Sequence, residues 1–274
     1  MRISLIKVIF VLMIVALTLL SCELPISFSE NDSELPAETE SWQVAVDDIR
    51  GMTRGMGIPQ HLIDPEKPAI DSVFDPNQLL IPLTHLQLRP GYTLDFVYRY
   101  DGMGGRPFLY ARKQSDTPFE SYGAFQAEQD ACRLADVPKD CDYLDFVESD
   151  GTEEGYFQWV LLQTMGDQFY LYWHSGIDDV EILASKDRLN TLVADLSETD
   201  FGEPLSAAQR RQALRIDPAP RVEISDVEVR VWVTWFTRWG GFYETFYTIT
   251  RTAPHGILTE DTQQLIEYEC QVVF

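Results

Sequence analysis

The sequence has few of the residues on which common catalytic and metal sites depend. Its 274 residues include only four histidines and four cysteines, and the histidines are scattered along the chain. It contains no H-E-x-x-H zinc motif, no G-x-S-x-G nucleophile motif, no C-x-x-C pair and no P-loop. The sequence therefore predicts no cofactor and no metal site, and it assigns no residue a catalytic role.

Basic residues are also scarce. The chain carries 21 Lys and Arg against 44 Asp and Glu, which gives a formal net charge of −23. Because nucleic-acid binding depends on cationic side chains that neutralise phosphates, this composition argues against a nucleic-acid partner. Hydrophobic residues make up 45% of the chain, as in an ordinary globular protein, so a polytopic membrane protein and a low-complexity chain are excluded.

The first 22 residues have the layout of an export signal. Arg2 and Lys7 precede a largely apolar stretch over 8–20. This stretch is short for a membrane-spanning helix, which needs roughly 20 residues. The stretch ends in Leu-Leu-Ser-Cys, which resembles the lipobox of bacterial lipoproteins. This resemblance implies that residues 1–21 are removed and that Cys22 is acylated. An ordinary cleaved signal and an uncleaved anchor are the other interpretations of the segment.

Acylation of Cys22 would place the protein in the envelope of a bacterial cell. Two or more buried acyl chains, such as palmitate, hold a protein on a bilayer without a membrane-spanning helix. The next residue is Glu23 rather than Asp, which in lipoproteins of double-membraned bacteria implies the outer membrane. In a single-membraned cell the expected location is the outer face of the plasma membrane. The lipid bilayer is thus an expected partner.

Composition divides the chain into three segments. Residues 1–21 are the predicted signal peptide, and residues 22–41 are rich in Glu, Ser, Asp and Pro with almost no apolar periodicity. A segment of this kind cannot bury enough apolar surface to offset the entropy of ordering, so it is predicted to be a disordered acidic tether. Residues 42–274 are predicted to form a single β-rich globular domain.

The cysteines beyond the signal segment favour one disulfide. Cys132 and Cys141 enclose a short polar loop, and outside the cytoplasm they are expected to form a bridge worth about 2–3 kcal/mol. A metal site built on this pair lacks a companion Cys or His cluster. Cys270 shares its alternation phase with Tyr268 and Val272, which indicates a buried free thiol on a strand.

Alternating hydrophobicity predicts a β-rich fold. Three of the predicted strands occupy residues 92–100, 155–163 and 168–174, and the longest strands lie in the last fifty residues. Two segments have helical spacing: 185–197, which Ser185 can cap, and 204–216, which starts at Pro204 and Ser206. The predicted class is α+β, with a large antiparallel sheet of about eight or more strands and two or three helices.

A glycine pair near the end of the chain suggests a candidate ligand surface. If Gly240 and Gly241 form a two-residue turn, both faces of the hairpin carry aromatic residues, and Arg230 faces Arg251 unless the pairing has slipped. One face must pack on the core, whereas the other could be covered by a helix or bind sugar rings or apolar chains. The candidate surface residues are Trp232, Trp235, Phe236, Trp239, Tyr243 and Tyr247.

Two other features have simpler structural interpretations. The acidic segment 141–156 offers several carboxylates, but it lacks the spacing of an EF-hand, and a solvated turn explains it better than a calcium site. His174 is the last residue of a predicted strand, where it could serve as a base, yet a surface or hydrogen-bonded structural histidine is the simpler interpretation.

These features together predict an envelope lipoprotein, anchored to the membrane, whose folded domain is a non-catalytic binding or structural module. Its expected partners are the bilayer, through acylated Cys22, and a glycan, an apolar ligand or a protein. The alternative is an envelope hydrolase that acts on glycans or lipids through carboxylates that the sequence does not identify. The globular part shows no family resemblance.

Overall fold

The computed structural model of the chain combines helices and strands. It describes residues 37–64, 66–69, 73–134, 141–176, 179–198, 202–268 and 270. The helices are α1 (Ala37–Thr53), α2 (Gln60–Ile63), α3 (Tyr122–Arg133), α4 (Glu153–Met165), α5 (Lys186–Ser197) and α6 (Ala207–Ala213). The strands are β1 (Leu86–Leu88), β2 (Tyr92–Tyr100), β3 (Gly104–Lys113), β4 (Val147–Ser149), β5 (Tyr172–Trp173), β6 (Val180–Leu183), β7 (Arg221–Ile224), β8 (Glu228–Thr237), β9 (Gly241–Thr250) and β10 (Ile257–Glu267).

The strands of the described residues form three antiparallel sheets. In the largest, β10, β9, β8 and β6 lie side by side in that order, and β7 also pairs with β8. Strands β2, β3 and β5 form the second sheet, and β1 pairs with β4 in the third. Antiparallel pairing and the strand at 92–100 are as predicted, but the prediction of one large sheet of eight or more strands is wrong.

One of the predicted strands is a helix, α4. Its apolar run 155–163 is buried on every side of the helix, so the run shows neither helical nor strand periodicity. The start of the helix is nevertheless encoded, because the Thr152 hydroxyl accepts the N–H of Gly155 at 3.0 Å. The predicted hairpin of 155–163 with 168–174 is therefore wrong.

The main core gathers around α4. Trp42 of α1 stacks on Phe157 with ring centroids 5.0 Å apart, and one face of the largest sheet completes the cluster through β7, β8 and β9. Helix α1 begins at Ala37, so it includes residues 37–41 of the predicted tether. Its apolar residues Trp42, Val46 and Ile49 recur at helical spacing, and the polar start of the helix precedes them.

Helices α5 and α6 pack against the opposite face of the largest sheet. They form a second buried cluster with Phe236, Phe242 and Cys270, and Cys270 is the free, buried thiol that its alternation phase predicts. The Ser185 hydroxyl accepts the N–H of Arg188 at 3.2 Å, so this predicted cap is confirmed. Ser206 caps α6 in the same way, and both helices predicted from spacing are present.

Helix α3 lies on the β2–β3 hairpin and is tied at its end by a disulfide. Aromatic rings hold it there, with Phe125 packing against Tyr110 at a centroid distance of 5.6 Å. The predicted bridge between Cys132 and Cys141 is confirmed, and their Cα atoms are 5.9 Å apart. The bridge fixes the end of α3 beside the 3₁₀ turn Tyr143–Phe146.

The hairpin of β8 and β9 has a different register from the predicted one. Its last pair is Thr237 with Gly241, so three residues form the turn and Gly241 belongs to the strand. Gly241 has a φ of +107°, and a Cβ on this residue would clash with the carbonyl oxygen of Ile266 on β10. The glycine is thus needed for close packing rather than for a two-residue turn. The slip also removes the predicted Arg230–Arg251 opposition, because Arg230 faces Thr248.

Candidate ligand-binding cavity

A cavity of about 570 Å³ lies between α4 and α3. Its walls come from β3, α3, α4, the segment after Cys141, and the turn that leads into β10. Its volume falls in the range of about 300–1,000 Å³ that is usual for small-molecule sites. Four aromatic rings line it: Phe108, Phe125, Tyr143 and Trp159. Three amide side chains line it as well: Gln126, Gln129 and Gln163. The lining is therefore both aromatic and rich in neutral polar groups.

Helix α4 contributes two polar groups without partners to this wall. Trp159 and Gln163 are one helical turn apart, so both side chains lie on the same side of α4. Trp159 is 1% exposed, and its Nε1 has no hydrogen-bond partner among the described residues. The Oε1 atom of Gln163 is also buried and has none there. A donor and an acceptor thus stand together without partners beside one cavity.

These two atoms are energetically unusual. Buried polar groups in proteins nearly always have a hydrogen-bond partner, and leaving one without a partner costs about 1–3 kcal/mol. An indole N–H can only donate, and an amide oxygen can only accept. A ligand that offers both an acceptor and a donor, such as a hydroxyl group, can satisfy both atoms.

The histidine of the cavity has both ring nitrogens engaged in hydrogen bonds with the backbone. Nε2 of His255 accepts the backbone N–H of Ser149 at 3.2 Å, and a backbone N–H can only donate. The proton must therefore be on Nδ1, which donates to the carbonyl oxygen of Thr250 at 3.0 Å. Since both ring nitrogens are occupied, His255 has no lone pair left to act as a general base.

The carboxylates of the cavity are engaged in local structure. Asp142 accepts the N–H of Leu144 at 3.0 Å, and Asp145 accepts the N–H of Asp142 at 2.8 Å, so the two cap the 3₁₀ turn. The third carboxylate, Asp167, forms an ion pair with Arg106. These contacts give each acid a structural role, and they also leave acceptor oxygens at the cavity wall.

Tyr143 is the remaining titratable ring of the cavity. Its hydroxyl donates to the carbonyl oxygen of Leu162 at 3.2 Å, which joins the 3₁₀ turn to α4. Burial raises the pKa of Tyr143 well above its ordinary value. The phenol therefore stays neutral at physiological pH and acts as a hydrogen-bonding group rather than as a base.

The aromatic residues predicted as a ligand surface are not brought together on one face. Trp232 and Phe236 lie on one side of β8 and Trp235 on the other, because side chains alternate along a strand. Trp235 is partly buried and stacks on Tyr243 with centroids 4.4 Å apart, whereas Phe236 and Tyr247 are buried. Of the six, Trp239 in the turn is exposed, at 46%.

The acidic segment 141–156 also has a structural explanation. Asp150 Oδ2 lies 2.7 Å from Nδ1 of His85, and Glu154 Oε2 lies 3.3 Å from Nε2 of the same ring. Because carboxylates occupy both nitrogens, this histidine is not arranged as a catalytic base. No group of three or more metal-ligating side chains that could hold a metal ion occurs among the described residues.

Two further predictions concern the signal segment and His174. Residues 1–21 and the lipidation residue Cys22 fall outside the described residues. In the part of the chain that the structure describes, no helix is long and apolar enough to cross a membrane. His174 lies in a short 3₁₀ turn beside the exposed ring of Trp173, outside the cavity.

Sequence reasoning missed Trp159 and Gln163 because it interpreted their segment as a strand. The signal that could have found them is Thr152 followed by Glu153 and Glu154, a helix cap with acids in the first turn.

Comparisons with known proteins leave the function to be argued from this geometry. The sequence matches no protein-family model, and comparison with curated proteins and with solved structures finds no significant match.

Proposed function

We propose that this chain is a lipoprotein of the bacterial cell envelope whose folded part binds a small neutral ligand, such as a mono- or disaccharide. The ligand would occupy the cavity beside α4, and Cys22 would carry the acyl chains that attach the protein to the bilayer. The attachment rests on the lipobox resemblance of Leu-Leu-Ser-Cys at 19–22. The membrane is the outer one in a double-membraned cell and otherwise the outer face of the plasma membrane.

The observation that carries the binding role is the pair of polar atoms without partners on α4. Trp159 Nε1 and Gln163 Oε1 are buried beside a cavity of about 570 Å³ and lack hydrogen-bond partners among the described residues. Each such group costs about 1–3 kcal/mol when it is buried without a partner, and a ligand that both donates and accepts hydrogen bonds would remove that cost. Sugar hydroxyl groups both donate and accept, so they match the two atoms.

The rest of the lining favours a sugar over an anion or a purely apolar ligand. Aromatic rings such as Phe108 and Phe125 offer flat apolar surface to the C–H face of a sugar ring. Three carboxylates against the single guanidinium of Arg133 leave the lining with negative charge, which repels anions. Amide and carboxylate oxygens accept hydrogen bonds from hydroxyl groups, which an apolar ligand cannot donate.

The same geometry supports a non-catalytic role. His255 uses both ring nitrogens in backbone hydrogen bonds, so it cannot take a proton from a substrate. Asp142 and Asp145 cap a 3₁₀ turn, and Asp167 is paired with Arg106, whereas glycoside hydrolysis needs one acid and one base facing the scissile bond. Binding without turnover is what this arrangement supports.

The test is to titrate the full-length protein, in detergent, with a panel of neutral mono- and disaccharides by isothermal calorimetry. Trp159→Phe keeps an aromatic ring and removes the N–H donor, so we expect at least tenfold weaker binding of any saccharide that binds. Trp173→Phe is the matched control, because this tryptophan is 70% exposed and lies outside the cavity.

Three results would contradict the proposal. The first is that no saccharide of the panel binds the unaltered protein. The second is that Trp159→Phe and Trp173→Phe weaken binding equally, since the cavity would then not be the site. The third is cleavage of a bound saccharide, which would support the hydrolase alternative instead.

Attachment to the bilayer is tested separately in a bacterial host. Cys22→Ser should abolish incorporation of labelled palmitate and move the protein out of the membrane fraction, because the acylated thiol is the proposed link to lipid. Persistence of the variant in the membrane fraction would contradict the anchoring proposal while leaving the binding proposal intact.

A further inference from the structure

A second cavity, of about 280 Å³, concentrates positive charge in an otherwise acidic protein. It lies between the end of α1, strand β6, helix α5 and the end of β8. Four arginines line it: Arg50, Arg54, Arg188 and Arg238. Three acids line it: Asp179, Glu181 and Asp195. Four positive against three negative charges leave a surplus of one, whereas the whole chain carries −23. We call this site the arginine cavity.

Glu181 is shared between two of the arginines. Its Oε2 lies 3.0 Å from Nη2 of Arg50, and its Oε1 accepts a hydrogen bond from Nε of Arg188. The Glu181 side chain is 5% exposed, so little water screens these contacts. Because one carboxylate serves two guanidinium groups, this trio has a net charge of +1. Three other acids offset that charge in part: Asp179 near Arg50, and Asp47 and Asp195 near Arg188.

Arg50 holds a buried donor without an acceptor. Its side chain is 10% exposed, and its Nη1 has no hydrogen-bond partner among the described residues. Burial lowers the pKa of Arg50, although Glu181 and Asp179 act against this effect. A guanidinium remains charged in proteins even so. An unsatisfied donor on a charged group costs more than one on a neutral group, so an added acceptor is favourable here.

Asp179, another acid of the arginine cavity, is partly withdrawn from water. Burial raises the pKa of Asp179, even though Arg50, Arg54 and Arg238 all act to lower it. Asp179 therefore gives up its negative charge more readily than an exposed aspartate when the pH falls. The arginine cavity therefore becomes more positive as Asp179 is protonated at acidic pH.

We propose that the arginine cavity binds a small anion whose carboxylate or phosphate group accepts a hydrogen bond from Nη1 of Arg50. Guanidinium groups are planar donors that match the oxygen geometry of both groups. Arg54 lines the same cavity and is exposed, so it can meet the anion from the solvent side. The volume of about 280 Å³ limits the ligand to a small organic acid or a compact phosphate.

One wall of the arginine cavity is held in a conformation that costs free energy. Tyr170 has a φ of +53°, which non-glycine residues rarely adopt. Its hydroxyl accepts the N–H of Phe74 at 2.8 Å, and its carbonyl oxygen accepts the hydroxyl of Tyr98 at 2.7 Å. These contacts fix the wall before any ligand binds, as expected of a preorganised site.

The test uses calorimetry on the full-length protein in detergent, with inorganic phosphate and with succinate as probes. Ionic strength is held constant with sodium chloride. We expect at least one probe to bind, and Arg50→Lys to weaken it at least tenfold, because lysine keeps the charge but lacks the planar fork. Arg54→Gln should weaken it several-fold. The control is Arg230→Gln, which removes an arginine paired with Glu228 outside the cavity and should change affinity less than twofold.

The outcomes distinguish a phosphate ligand from a carboxylate ligand, and they test anion binding independently of saccharide binding. Binding of phosphate alone assigns a phosphate ligand, and binding of succinate alone assigns a carboxylate. Absence of binding by both probes, or equal weakening by Arg230→Gln, overturns the proposal. If Arg50→Lys does not fold, Arg54→Gln decides, since Arg54 is exposed. Trp159→Phe should leave anion binding unchanged, so this result stands or falls independently of saccharide binding.

Discussion

The two cavities differ in the kind of buried group that lacks a partner. Beside α4 it is a neutral donor and a neutral acceptor, Trp159 Nε1 and Gln163 Oε1, among aromatic rings. In the arginine cavity it is a charged donor, Nη1 of Arg50, among opposing charges. The comparison teaches that the unsatisfied group, rather than the number of aromatic or charged residues, indicates which ligand chemistry a cavity favours.

The largest expected effect comes from removing the shared charge of the arginine cavity. Glu181→Gln should lower the free energy of unfolding by about 3–5 kcal/mol, because Arg50 and Arg188 would be left as like charges with little solvent around Arg50. Chemical denaturation measures this change. Glu228→Gln, which breaks a more exposed pair with Arg230, should cost less than about 1 kcal/mol. If Glu181→Gln and Glu228→Gln lowered the free energy of unfolding equally, solvent would screen the charges of the arginine cavity as well as it screens the exposed pair.

Removing the disulfide should affect ligand binding in the cavity beside α4 but not in the arginine cavity. The double variant Cys132→Ser, Cys141→Ser should lose about 2–3 kcal/mol of unfolding free energy, since the bridge restricts the unfolded chain. Saccharide binding should weaken as well, because Cys141 lines the cavity beside α4 and the bridge holds α3 in place. Anion binding should stay within twofold in calorimetric titrations. Weakening of both ligands alike would show that the cavities are not independent.

Gln163→Met should weaken saccharide binding without lowering stability. The variant removes an acceptor that has no partner among the described residues, so the free energy of unfolding should stay the same or rise by up to about 1 kcal/mol. The matched control is Gln126→Met, which removes hydrogen bonds with Tyr122 and Asp130 and should lower it by about 0.5–1 kcal/mol. Equal destabilisation of the two variants by denaturant would contradict the assignment of Gln163 as unsatisfied.

The smallest expected effect concerns Asp179 and depends on pH. Burial raises its pKa above the ordinary value of 3.8 in the folded state, so above pH 3.8 the folded protein binds more protons at this site than the unfolded chain does. The free energy of unfolding therefore falls as the pH rises from 3.8 through the raised pKa. Asp179→Asn should remove this slope, an effect below about 1 kcal/mol for a half-buried group.

Asp179→Asn should also tighten anion binding at neutral pH, because it removes a negative charge from the arginine cavity. Unfolding free energies of both proteins, measured across the acid range, and phosphate titrations at pH 7 check these expectations. If Asp179→Asn changed neither the pH dependence of the unfolding free energy nor the affinity for phosphate, then Asp179 would not contribute to the charge of the arginine cavity.

Local signals in the sequence predicted the elements whose patterns repeat within a few residues. The alternation of 92–100 predicts β2 with the bounds that the structure shows, Tyr92–Tyr100. Ser185 caps α5 as its position before a helical pattern indicates. The disulfide could be predicted because Cys132 and Cys141 are separated by 9 positions along the chain, so that closing the loop between them costs little entropy.

Other elements could not be predicted because their patterns are ambiguous locally. The run 155–163 is largely apolar on every side, so its periodicity does not distinguish a helix from a strand, and only the cap at Thr152 marks a helix start. From the sequence, Gly241 could be part of a turn or a position where two strands pack closely. The structure shows the second case, since the Ile266 carbonyl oxygen on β10 leaves no room for a Cβ at Gly241. The register of the hairpin then follows from that contact.

The two cavities could not be predicted from the sequence either. Arg50, Glu181 and Arg238 are far apart in the sequence, and Trp159 meets His255 across almost a hundred residues. No spacing rule connects such residues, because a missing hydrogen-bond partner is a property of the packed surroundings rather than of the chain.

By itself, the sequence determined the acidic charge, the capped helices α5 and α6, the strand β2 and the closeness of the two bridging cysteines. These depend on composition or on neighbours within about ten residues, where backbone periodicity and short-loop entropy act. Only the tertiary structure decided that α4 is a buried helix, that the strands divide into separate sheets, and that buried donors and acceptors in two cavities lack partners within the described part of the chain. These features arise from contacts between distant segments, which exist only once the chain has packed.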